Sequence, residues 1–145
     1  MSTWWNVTID GASPGLVAKF WAVALGYIDS PPATGSDSWE DWLCENGVPE
    51  DEWDDGVYLV DPDGTRPKLS FLKVPELKVV KNRVHIDVVA SGGRHLPHDE
   101  RWVHIRRKVG ELKTAGGVVI RTDELDGRPD HVVMTDPEGT EFCVV

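Results

Sequence analysis

A chain of 145 residues and 16.1 kDa is the size of one domain, able to bury roughly two-thirds of its unfolded surface without covalent staples. Its 15 basic and 25 acidic residues leave a formal charge of -10, which excludes nucleic acid and anionic lipid as partners and points to a small molecule or another protein. No run approaches the roughly 18 apolar residues of a membrane span, and the start MSTWWNVTID has neither a basic region nor an apolar core, so a cytoplasmic protein is expected.

In chain order, WWNVTID is a β-rich run, followed by SPGLVAKFWAVALG, with Ser13 as N-cap, Pro14 at the first helical position and Gly26 as the stop. Leu16, Phe20 and Val23 supply its apolar spacing. Residues 29–56 form a long polar segment dense in Asp and Glu, yet it carries Trp39, Trp42 and Trp53. Acidic runs are ordinarily solvated surface, but exposed indoles cover either a core edge or a ligand, so a flap over a pocket is the functional alternative. Then come GVYLV, the turn DPDGT and PKLSFLKV, in which Leu69 and Phe71 alternate with Ser70 and Leu72.

RVHIDVVA reads as a further strand, and HDERWVHIRRKVGELKTAGG as a helix with Asp99 at its N-cap and Trp102, Ile105, Val109 and Leu112 on one face. VVIRT, HVVMT, the turn DPEGT and EFCVV complete the chain. Arg94 and Arg101 are candidates for an anionic group, while His95 and His98 between them read as part of a loop of glycines and proline entering the helix. Cys44 and Cys143 lie far apart without zinc-like spacing and read as reduced thiols.

DPDGT at 61–65 recurs as DPEGT at 136–140, and VTID at 7–10 recurs as VHID at 84–87, at offsets of 75 and 77. The chain is therefore two copies of a β-α-β-β-β unit, about 1–76 and 80–145. In both turns the glycine sits where a positive φ is required.

Paired units of this kind, with FWAVALGY at 20–27, KNRVHIDV at 81–88 and DPEGTEFCV at 136–144, resemble the vicinal oxygen chelate superfamily of glyoxalases, bleomycin-resistance proteins and dioxygenases. The wording is similar to its glyoxalase-like branch common in actinobacteria. The resemblance implies an α+β fold in which two βαβββ modules form a curved eight-stranded mixed sheet, helices on the convex face and the site on the concave one. It also implies a homodimer and, in metal-using members, four ligands from both modules.

Transferred by count, those slots fall on Asn6 (or Thr8, by the internal repeat), Ser70, His85 and Cys143. Three of the four lack a donor suited to a divalent transition ion, so no metal or other cofactor is expected. His85 and Asp87 share a strand face about 7 Å apart, too far for a tight pair but close enough to line one pocket. An imidazole is the usual proton carrier near neutral pH, which makes His85 and Asp87 the candidate catalytic pair. The leading expectation is a small organic metabolite bound by Asn6, Thr8, Ser70, Cys143 and the three tryptophans, without a metal. Two alternatives are a lyase, isomerase or dioxygenase using His85, and a resistance protein that sequesters an antibiotic.

Overall fold

Helix α1 spans Pro14–Leu25, between strand β1 (Val7–Gly11) and Gly26, so its start and stop signals act as read. The computed structural model describes residues 1–33 and 35–145; Thr34, within the polar segment, lies outside the described residues. Strand β2 (Ile28–Asp29), helix α2 (Trp39–Glu45), a 3-10 turn (Glu50–Glu52), β3 (Gly56–Val60) and β4 (Leu69–Lys73) complete the first copy. The second copy holds β5 (Asp87–Val88), α3 (His98–Thr114), β6 (Val118–Leu125), β7 (Arg128–Thr135) and β8 (Glu141–Val144).

The fold is α+β, and the eight strands among the described residues hydrogen-bond as two four-stranded mixed sheets, ordered β1-β4-β3-β2 and β5-β8-β7-β6. In each sheet the opening strand pairs in parallel with the closing one, and the other pairs are antiparallel. The chain packs as two units, residues 1–18 with 26–77, and residues 19–25 with 78–145. The second half of α1 thus counts with the second unit.

In the first unit, Leu59, Leu69 and Phe71 are buried on one face of the sheet. Asp61 of the first DPxGT turn is buried as well. Its carboxylate accepts the amides of Thr65 and Arg66 at 2.9 and 3.0 Å and the Arg66 guanidinium at 2.6 Å, which satisfies a charge that burial would otherwise penalise. Arg66 lies 4.6 Å above the ring of buried Tyr27, whose hydroxyl donates to the Pro67 carbonyl.

In the second unit, Phe20, Trp21 and Phe142 meet edge to face at 5.2–5.7 Å, a favoured arrangement for aromatic rings. Ile105 and Leu112 of α3 and Met134 of β7 are fully buried there. Gly117 leaves no room for a side chain, since a Cβ would stand 2.9 Å from the Phe20 ring. Buried Asp136 of the second turn accepts the Trp21 indole N–H at 3.1 Å and the amides of Glu138 and Thr140. The turn glycines, Gly64 and Gly139, have φ of +66° and +90°, as expected.

Three expectations are corrected. The buried stripe of α1 is Val17, Phe20, Trp21 and Ala24, whereas Leu16 and Val23 are 52% and 46% exposed, because they flank the i, i+3, i+4, i+7 face instead of lying on it. RVHIDVVA is regular strand only at Asp87–Val88: it is an edge segment beside the four-residue β8, with further backbone bonds from Cys143 to Ile86 and from Ala90 to Val145. Asp99 does not cap α3, which begins at His98 behind Pro97; it sits in the first turn, where an acidic group favours the helix dipole. No helix among the described residues is long and apolar enough to cross a membrane.

Candidate functional site

The alternation of β4 gives the first sheet an accessible face. Ser70 pairs with Thr8 on β1 and with Tyr58 on β3, so these three side chains lie in a row opposite the buried Leu59, Leu69 and Phe71. Against this face stands the polar segment, folded by its own local chemistry. The Ser38 hydroxyl accepts the Asp41 amide at 3.0 Å and caps α2. The Trp39 indole donates to the Ser30 carbonyl at 2.7 Å, and Trp53 to that of Val48 at 3.0 Å.

The rings held this way enclose a space. Trp39 stacks on Tyr58 with centroids 5.6 Å apart and planes 26° apart, and Trp42 meets Trp39 edge-on at 5.6 Å. Together with Trp53, Leu43, Gly56 and Leu72 they line a pocket of about 370 Å³, to whose wall Glu52 and Asp55 also contribute. The structure therefore brings the three tryptophans of the flap expectation together. Thr8 and Ser70 share the face but not the pocket wall. Asn6 is committed elsewhere: its side-chain oxygen accepts the Lys68 amide at 3.2 Å, fastening the chain before β1 to β4.

Tyr58, Glu52 and Asp55 escaped sequence reasoning. The period-two pattern of GVYLV, with Leu59 inward, was the signal that places Tyr58 outward. Helix α2 was also missed, although Ser38 followed three residues later by Asp41 is a helix-start pattern.

His85, Asp87 and Cys143 converge on the second sheet, where Asp87 pairs with Cys143 across β5 and β8. The Nδ1 of His85 is 3.6 Å from the Asp87 carboxylate and 3.9 Å from the Cys143 sulfur, so the side chains lean together across the spacing that the backbone alone suggested was too wide. The ligand atoms of all three lie within 4.8 Å of one another. Burial, reinforced by the Asp87 charge, pushes the Cys143 thiol up, and at neutral pH it is a thiol. The cavity at His85 and Cys143, which Lys81, Arg121 and Glu141 share, is only about 40 Å³. That accommodates water but not a metabolite.

Next to this cluster runs a ladder of charges that sequence reasoning did not foresee. Arg121 donates to Asp123 at 2.8 Å, His131 bridges Asp123 and Asp130 at 3.2 Å each, and Arg94 grips Asp130 with two bonds of 2.9 Å. Arg101 faces the same carboxylate at 3.8 Å. The expected anion site at Arg94 and Arg101 is thus occupied by the protein's own Asp130. His98, read as a loop histidine, opens α3 and bonds the Pro129 carbonyl at 2.7 Å.

The donor set does not suit the four-ligand metal centre that the resemblance implies. The first module offers hydroxyls and an amide oxygen already in use, and the second offers one imidazole, one carboxylate and a thiol that holds its proton more firmly than usual.

The two-sheet fold is that of solved structures described as glyoxalase, bleomycin-resistance and dioxygenase family proteins, which match nearly the whole chain. A family enzyme of that description from Burkholderia phytofirmans is 14% identical, with 96% of this chain and 94% of that one covered at a TM-score of 0.57. A possible glyoxalase from Bacillus cereus is 14% identical (100% and 99% covered, TM-score 0.57), and the fosfomycin resistance protein of Mesorhizobium loti 9% (99% and 90%, TM-score 0.59). These likenesses show the fold. No curated protein matches the sequence. The glyoxalase-like domain family model matches residues 6–145, and the chain belongs to that family.

Proposed function

We propose that this glyoxalase-like domain binds a small organic molecule in the aromatic pocket on the accessible face of the first sheet, without a metal. The observation that carries the reading is the 370 Å³ space walled by Trp39, Trp42, Trp53 and Tyr58. Its volume is in the range of ligand sites, and an apolar wall with a few polar groups is their usual lining. The indoles of Trp39 and Trp53 are tied to backbone carbonyls, so little side-chain freedom remains to be lost on binding. Titrating a panel of neutral, cationic and anionic aromatic compounds should quench tryptophan fluorescence, and Trp42→Leu should weaken the best ligand by about tenfold or more. A panel that leaves the fluorescence unchanged sinks the reading.

A second reading rests on the closeness of His85, Asp87 and Cys143. In it the domain is a lyase, isomerase or dioxygenase-type enzyme in which His85, oriented by Asp87, moves a proton. His85→Ala should then abolish any turnover shown by the native chain while leaving ligand binding at the aromatic pocket within about threefold. If the pocket binds its ligand and no product forms with the native chain, sequestration of a toxic compound is the form the first reading takes.

A further inference from the structure

We infer that the occupant of the aromatic pocket is an organic cation, a quaternary or protonated amine on an apolar body. The inference rests on the reading that this pocket binds a ligand, and adds the chemical class. Four aromatic rings surround the space, and the negative face of an indole or phenol attracts a cation placed within about 6 Å of it. Two carboxylates share the wall. Asp55 pairs with Lys73 at 3.1 Å, whereas Glu52 is in no ion pair among the described residues.

The surrounding charge points the same way. Residues 29–55, the segment that supplies most of the pocket wall, carry ten of the 25 acidic side chains and no lysine, arginine or histidine. Such a field repels anions and concentrates cations at the pocket mouth. A neutral apolar ligand would gain the same stacking but leave the Glu52 carboxylate without a partner. A cation pairs with it and engages the rings at once.

The test compares benzyltrimethylammonium with its uncharged carbon isostere, neopentylbenzene, by tryptophan quenching in the full chain. In low salt the cation should bind about tenfold tighter or more, and that advantage should shrink severalfold at about 0.5 M salt. Glu52→Gln, on an exposed 3-10 turn, should cost the cation about three- to tenfold and the isostere nothing, with an unchanged thermal midpoint showing that the fold is intact. Equal affinities for the two probes, or a Glu52→Gln variant that binds the cation as before, overturn the inference and leave the pocket reading standing. If neither probe nor any compound of the wider panel quenches, the pocket reading falls and takes the inference with it.

Discussion

The two copies differ most where the second strand of each returns toward the third. In the second copy, β6 and β7 have eight residues each and turn through Asp126 and Gly127, both left-handed at φ of 54° and 74°. That is the geometry of a tight hairpin, for which Asp-Gly is a preferred pair. In the first copy, β2 has two residues and the chain then leaves the sheet for residues 30–55, folding α2 and a 3-10 turn before β3. One topology thus yields a plain ribbon in one place and a walled pocket in the other. A long connection at a sheet edge supplies most of the pocket wall, while the strand order of both sheets stays the same.

The most damaging way to break the comparison is through the aromatic core of the second unit. Phe142→Ala removes the ring on which Phe20 and Trp21 pack and should cost about 3–5 kcal/mol in chemical denaturation, enough to unfold a marginal domain. Replacing residues 30–55 with a short Asp-Gly turn should instead spare the fold, since β2 is the edge of its sheet, and abolish fluorescence quenching by pocket ligands. Circular dichroism and ligand titration on the same sample separate those outcomes.

A smaller effect follows from pH. The bidentate Arg94 bond holds the Asp130 carboxyl at about 2, below the ordinary 3.8. A depressed acid contributes stability fully above its unfolded value, near pH 4, and loses it as the pH falls through about 2. Asp130→Asn should therefore lower stability at neutral pH and flatten the acid limb between about pH 4 and 2, which denaturant midpoints across that range would show. The smallest expected change is Ser38→Ala, which removes the cap of α2 and should cost about 0.5–1 kcal/mol, seen as weaker ligand binding more than as a lower melting temperature.

Much of the architecture was legible because it is written in local signals used twice. The repeated DPxGT turns each join the last two strands of a copy, and Pro14 and Gly26 bracket α1 whatever it packs on. What failed depended on distant partners. The buried side of α1 turns on Trp21 finding Asp136, 115 residues away, which no spacing reveals. Of the candidate site, the tryptophans were legible as costly residues in an acidic run, but Tyr58 and Glu52 join them only through the fold of the segment. Arg94 looked available to a ligand because Asp130, 36 residues on, was invisible as its partner.

The two cysteines give the molecule a built-in chemical asymmetry. Cys44 is exposed on α2, between Trp42 and Glu45, while Cys143 is half-buried and keeps its proton. A maleimide added at neutral pH should modify Cys44 first. An environment-sensitive dye attached there would sit on the pocket's own helix, so the native chain can be labelled to report occupancy of the pocket without changing a residue.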